Sequence, residues 1–295
     1  MIPAYRPNQE YLRQTLESVL RQEPGPDKMQ IEVVDDCSPG VDVAAMVRAI
    51  AGARVSVSAT PKNVGLAGCW NACIEHSRGL WVHILHHDDY VLPGFYEKLA
   101  KAGQLHPEVS LLATRSFFVD PDGVILGVTV RLPNLENGGR AVDDFFYSTP
   151  IQCPGVVVKR SYYEANGGFR SDLAFTLDCE MWARVIGAAG GIVTPEVLSC
   201  YRQSDMNETG RLNRTAEGLR DFDRLNHLFA ARHEGFDANK ARQRVCYMAI
   251  NQAERFSATG DSEAAKANLN YWRENAPASL RLRRFAVKMA RSILG

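Results

Sequence analysis

Ile31-Glu32-Val33-Val34-Asp35-Asp36 and Trp81-Val82-His83-Ile84-Leu85-His86-His87-Asp88-Asp89 decide the fold, because each is a short apolar run followed by a pair of acids. Runs of this length read as strands, and an acidic pair beyond a strand belongs to a loop at its carboxyl end. Upstream of the first run, Leu12, Leu16, Val19 and Leu20 recur at helical spacing over 8–22, and Glu23-Pro24-Gly25-Pro26 stops that helix. Between the two runs the pattern predicts a helix over 43–50, a strand over 54–58 and a helix over 66–77. A helix over 95–105 and a strand over 109–113 follow. Strands alternating with helices imply an α/β fold with a mostly parallel central sheet flanked by helices.

The rhythm breaks into irregular sequence over 120–154. A strand over 155–159, a helix over 177–188 and a strand over 197–201 then resume it. From about Arg211 the pattern is helical, with Leu219, Phe222, Leu225, Leu228 and Phe229 forming one apolar stripe. The expected organisation is one α/β domain over 1–205, divided into a 1–115 part and a 116–205 part, and a helical C-terminal extension over 206–295. At the start, Met1-Ile2-Pro3-Ala4-Tyr5 reads either as a short first strand or as the end of a longer one.

The 295 residues carry 34 basic and 34 acidic side chains, so no global field draws in nucleic acid. Seven cysteines, an odd number with no Cys-x-x-Cys pair, argue against a disulfide framework or a structural zinc site and suit a reducing cytoplasm. No apolar run approaches the roughly 20 residues that a membrane helix needs.

In an open α/β sheet, ligands bind beyond the carboxyl ends of the strands, so Asp35-Asp36 and Asp88-Asp89 should face one crevice. Acids at strand ends also serve as plain turn formers or caps, and either pair alone reads equally well that way. Four carboxylates in one place repel one another unless a cation joins them. A divalent ion, manganese or magnesium, held by a carboxylate and by substrate phosphates, is the economical choice. The chain lacks a Gly-x-Gly-x-x-Gly after the first strand and a Gly-x-x-x-x-Gly-Lys-Ser/Thr loop, so neither a nicotinamide-type fold nor a phosphate-cradling ATPase loop is indicated.

Ile2-Pro3-Ala4-Tyr5, Val33-Val34-Asp35-Asp36-Cys37-Ser38, Asn63-Val64-Gly65-Leu66-Ala67-Gly68-Cys69-Trp70-Asn71 and Leu85-His86-His87-Asp88-Asp89-Tyr90-Val91-Leu92-Pro93-Gly94 resemble glycosyltransferase family 2, in that family's order. The resemblance covers residues 1 to about 205. It implies the GT-A fold, a nucleotide-diphosphate-sugar donor (UDP- or dTDP-sugar) and inverting transfer to an acceptor hydroxyl. It also implies donor-binding roles for Pro3, Ala4, Tyr5, Asp35, Asp36, Asn63 and Gly65. The family's Asp-x-Asp-Asp motif reads His86-His87-Asp88-Asp89 here, which makes Asp88 the metal ligand and leaves His86 and Asp89 on the donor side.

Thr176-Leu177-Asp178-Cys179-Glu180-Met181-Trp182-Ala183-Arg184 resembles the family's Glu-Asp-x-x-x-Trp-x-Arg helix start, with Asp178 at the catalytic base and Leu177 in place of the usual glutamate. Without the resemblance, Asp178 reads as a carboxylate favoured by the helix dipole. Tyr201-Arg202-Gln203-Ser204 resembles a Tyr-Arg-x-His stretch, so Arg202 is expected at the donor diphosphate or in a structural ion pair. Ser204 replaces the histidine. These departures keep a non-catalytic sugar- or nucleotide-sugar-binding protein as an alternative. A sugar nucleotidyltransferase is a second, although residues 3–9 supply no basic Gly-rich loop. Residues 280–294 interleave basic and apolar side chains without an acid. They read equally as a packed helix or as a peripheral contact with the inner face of the plasma membrane, where a glycan or lipid-linked acceptor would be met.

Overall fold

A computed structural model describes residues 1–204, 207–278 and 280–281. The chain divides into two compact units, Met1–Gln203 and Ser204–Gly295.

The first unit opens with β1 (Ile2–Ala4), α1 (Gln9–Leu20), β2 (Glu32–Asp35), α2 (Val43–Ala51), β3 (Ser56–Ala59), α3 (Gly65–His76) and β4 (Trp81–His83). β1, β2 and β3 pair in parallel. Met1 N donates to His83 O at 2.9 Å and Leu85 N donates to Met1 O at 3.0 Å, so β4 joins the free side of β1 in the pattern of a parallel neighbour. The carboxyl ends of β1, β2 and β4 therefore lie along one edge, which brings residues 35–36 and 86–89 to the same side of the sheet.

The remaining elements are β5 (Tyr90–Val91), α4 (Phe95–Leu105), β6 (Leu111–Val119), β7 (Ile125–Val128), α5 (Asp143–Phe146), β8 (Val156–Lys159), α6 (Arg160–Asn166), α7 (Leu177–Ala189) and β9 (Gly191–Arg202). Their sheet runs β4-β8-β6-β9-β5, with β7 on β6. β6 and β9 are parallel, whereas β8, β5 and β7 enter antiparallel. The parallel character expected from the sequence thus holds through the first half and for β6–β9, and the later additions make the whole sheet mixed.

Each helix has a local reason to start where it does. Asn8 caps α1 by accepting from Glu10 N and Tyr11 N, and Asp42 caps α2 by accepting from Ala45 N. α1 buries Leu12, Thr15, Leu16 and Val19 against the sheet, with Ile2, Val33 and Leu85 in the same core. Burial of a side chain of this kind is worth about 1.5–3 kcal/mol.

In the second unit, α8 (Glu208–Arg214), α9 (Glu217–Arg232), α10 (Ala238–Ala258) and α11 (Ser262–Asn275) follow one another. Asn207, Asp237 and Asp261 cap α8, α10 and α11. The α9 stripe buries Leu219, Phe222, Leu225 and Phe229, while Leu228 is only half-buried. Among the described residues no helix is long and apolar enough to cross a membrane. The 280–294 segment lies, beyond Arg281, outside the described residues.

Candidate active site

At the carboxyl end of β2 the two acids have different surroundings. Asp36 is buried, and its carboxylate accepts from Thr60 Oγ1 (2.9 Å), Asn63 Nδ2 (2.9 Å), Val64 N (2.8 Å) and Gly65 N (3.0 Å). It therefore ties the Asn63–Gly65 turn to β2, and Gly65 permits the turn at φ +75°. Asp35 is half-buried and accepts from Ser38 N and Ser38 Oγ, while the same hydroxyl takes a hydrogen bond from Arg6 N at 2.8 Å. Arg6 and Cys37 both have positive φ (46° and 55°), an uncommon conformation for non-glycine residues and a frequent mark of functional loops. Tyr5 stands 42% exposed beside them, whereas Ala4 is buried. A concave surface lined by Asp35, Gly40, Asp42, Val57, Ser58 and Ala59 opens next to this edge, and it includes neither Asp88 nor Asp178.

Beyond β4 the chain passes through buried Ile84 and Leu85 and turns at His86–Asp89, where Asp89 N donates to His86 O. Asp89 is 1% exposed. Its Oδ1 accepts from Arg202 N at 2.8 Å, and its main-chain oxygen accepts from Thr15 Oγ1 at 2.7 Å. His86 Nδ1 lies 3.4 Å from Asp89 Oδ2, and the ring rests on Trp70 with centroids 4.8 Å apart. Burial pushes the Asp89 carboxyl up to about 6 against the opposing pull of His86. Burial disfavours the His86 imidazolium, but the Cys153 sulfur and Asp89 outweigh it and hold the ring well above its ordinary pKa. Burial raises the Cys153 thiol.

Asp178 is the second residue of α7. It is half-buried, and its Oδ1 accepts from Cys179 N at 2.7 Å. After burial, the charges of Asp178 and Asp89 both act to raise the Cys153 thiol. A second connection is aromatic: Trp70 packs on Phe169 at 4.8 Å and Phe169 on Trp182 of α7 at 5.7 Å. Leu177, Met181 and Val185 are buried, whereas the neighbouring Asp178 is only half-buried.

The loop before α7 is held by residues that sequence reading gave no role. Asn71 donates to Phe169 O and accepts from Phe169 N, at 3.0 and 2.7 Å. Arg184 bonds the buried carboxylate of Glu180 and the main-chain oxygens of Asn166, Gly167 and Gly168. Arg202, expected at the diphosphate or in an ion pair, is turned inward at 2% exposure, with its guanidinium on main-chain oxygens of Asp88, Asp120 and Pro121.

A divalent ion fits the 86–89 turn. His86, Asp88 and Asp89 each offer one ligand atom, all within 4.8 Å of one another. His86 Nε2 is buried without a hydrogen-bond partner, and Asp89 Oδ2 has His86 Nδ1 at 3.4 Å.

A mixed α/β sheet flanked by helices, followed by a helical C-terminal part, is the fold of GT-A glycosyltransferases. The family model for glycosyl transferase family 2 matches residues 1–163, and the chain belongs to that family. The chain is 25% identical over 240 residues to an uncharacterized protein, MT1568, of Mycobacterium tuberculosis (strain CDC 1551 / Oshkosh), covering 76% of this chain and 72% of that one. Over 78 residues it is 41% identical to the succinoglycan biosynthesis protein ExoO of Rhizobium meliloti (strain 1021), covering 26% of this chain and 22% of ExoO. Among solved structures, S. aureus TarS 1-349 in complex with UDP-GlcNAc superposes with a TM-score of 0.60 at 14% identity, over 94% of this chain and 80% of that one. The mannosyltransferase PcManGT from Pyrobaculum calidifontis, in complex with GDP-Man and Mn2+, gives 0.57 at 18% identity, over 99% and 79%.

Proposed function

We propose that this glycosyltransferase is inverting and metal-dependent, and that it moves one sugar from a nucleotide diphosphate sugar to an acceptor hydroxyl in cell-surface polysaccharide or glycolipid synthesis. The observation that carries the reading is the cluster of His86, Asp88 and Asp89, whose ligand atoms lie within 4.8 Å of one another in a chain of glycosyl transferase family 2. Inversion needs one base: Asp178 accepts the proton of the acceptor hydroxyl as its oxygen attacks the anomeric carbon opposite the departing diphosphate. A divalent ion held by Asp88, with His86 and Asp89 around it, would supply positive charge for the leaving diphosphate. Pro3, Ala4, Tyr5 and Asp35 receive the base and ribose, and Asp36 with Asn63 and Gly65 shapes that wall through their mutual hydrogen bonds. The UDP-GlcNAc complex of TarS, the GDP-Man complex of PcManGT and the similarity to the succinoglycan biosynthesis protein ExoO support a nucleotide sugar donor and a polysaccharide product.

The test is a donor panel with manganese or magnesium. Asp178→Asn lowers transfer on the order of 10²–10⁴-fold while donor binding persists, and Asp88→Ala weakens metal-dependent donor binding. Normal transfer by Asp178→Asn would remove the assigned base. The acceptor is a glycan or lipid-linked glycan at the inner membrane face, approached through residues 280–294. Equal liposome flotation by the full chain and by a truncation before Leu280 would end that part of the reading.

A further inference from the structure

Arg202 is the last residue of β9, and its guanidinium is bonded to groups within the protein. Its guanidinium lies over the Tyr11 ring at 4.2 Å and near the Tyr90 ring at 5.7 Å. Nε donates to Asp88 O at 2.9 Å, and Nη1 donates to Asp120 O at 3.2 Å and to Pro121 O at 2.7 Å. Nη2 donates to Gln14 Oε1 on α1. The main-chain N–H of the same residue donates to Asp89 Oδ1 at 2.8 Å. One residue thus grips both acids of the pair, Asp88 by its carbonyl and Asp89 by its carboxylate.

We propose that Arg202 is a positioning residue that fixes the Asp88–Asp89 turn for the divalent ion by bonding the turn's main chain, α1 and the Asp120–Pro121 turn at once. The proposal rests on the reading of Asp88 as the ion's ligand. An ammonium cannot replace the planar fork, because its donors do not span carbonyls that lie on three separate segments. A role at the donor phosphates would need a guanidinium edge facing the cleft, and at 2% exposure this one is directed into the protein.

The test uses the full-length chain with Arg202→Lys and Arg202→Met. Free Mn²⁺ is followed by electron paramagnetic resonance, and UDP and GDP binding is measured by calorimetry without metal. In both variants Mn²⁺ affinity falls about tenfold or more, the usual size for an outer-shell partner of a metal ligand, while metal-free nucleotide affinity is unchanged. Gln14→Leu removes one contact and spares the loop carbonyls. It gives a smaller loss in the same direction and serves if the Arg202 variants do not fold. Unchanged Mn²⁺ affinity in a folded variant would overturn the proposal while leaving the ion reading intact, and so would a parallel loss of metal-free nucleotide binding, which would put Arg202 on the diphosphate. No Mn²⁺ on the wild type would overturn both.

Discussion

His83, at the end of β4, makes the stability of the first unit depend on pH. It is buried, with Nε2 3.1 Å from Pro154 O and Nδ1 3.1 Å from Tyr96 Oη. A neutral ring with its proton on Nε2 satisfies both contacts, since Tyr96 can donate to Nδ1 and burial keeps its phenol protonated. Burial, helped by the nearby amino terminus, lowers the His83 pKa to about 3. An unfolded chain takes up this proton near pH 6.5, whereas the folded chain resists until about 3. Between those values the unfolded state binds more protons, so stability falls as the pH falls across that window. At about 1.36 kcal/mol per unit, the loss accumulated by pH 4 is roughly 3 kcal/mol. Urea denaturation at pH 7 and pH 4 measures it, with His83→Gln as the reference because glutamine keeps a donor and does not titrate. The wild type is expected to lose roughly 3 kcal/mol more than the variant between the two pH values. Identical pH dependence in the two proteins, or a His83 ring that titrates near its ordinary pKa by NMR, would refute the reasoning.

Gly168→Ala places a Cβ 2.2 Å from Asn71 Oδ1. The Asn71–Phe169 pair must give way, at a cost of roughly 1–3 kcal/mol read from the denaturation midpoint. Arg184→Met removes one guanidinium from the Glu180 carboxylate, which is 2% exposed. Breaking a buried pair in this way costs roughly 3–5 kcal/mol, and a change near zero would show that the pair does not hold the loop. Asp36→Ala removes the acceptor for four donors. It destabilises by roughly 3 kcal/mol and, by freeing the Asn63–Gly65 turn, raises the donor KM more than it lowers kcat. Chelation with EDTA abolishes transfer, added Mn²⁺ restores it, and the ion alone raises the melting temperature; full activity in EDTA would exclude a required ion.

How far the sequence could be read followed from how local each signal was. α4 matches its expected range, 95–105, because Gly94 at φ +90° starts it and Phe95 and Leu99 give its inner face a regular spacing. β6 was expected to end at Ala113 but runs to Val119, since Arg115 and Ser116 break the apolar run. Its continuation is held by neighbours: β9 pairs along it, and the buried Ser116 and Ser199 hydroxyls lie 2.8 Å apart. β5 has two residues and no periodicity to detect. β7 lay inside a stretch read as irregular, although Asp120 closes its turn by accepting from Asp122 N and Val124 N.

At the candidate site, the acidic pairs were legible because an acid after an apolar run is a local pattern. What those acids touch was not, because the partners come from far along the chain. Asn71 meets Phe169 across 98 residues and Arg202 meets Asp88 across 114. The motif residues also divide in a way no spacing reveals. Asp35 is the last residue of β2, and Asp36 follows it at the start of the loop. One carboxylate closes a turn inside the protein and the other stays half-exposed beside Tyr5. The same division separates Asp89, held under the turn, from Asp88 beside it. Thus in each pair one acid is buried in hydrogen bonds that hold its loop, and its neighbour stays half-buried at the sheet edge.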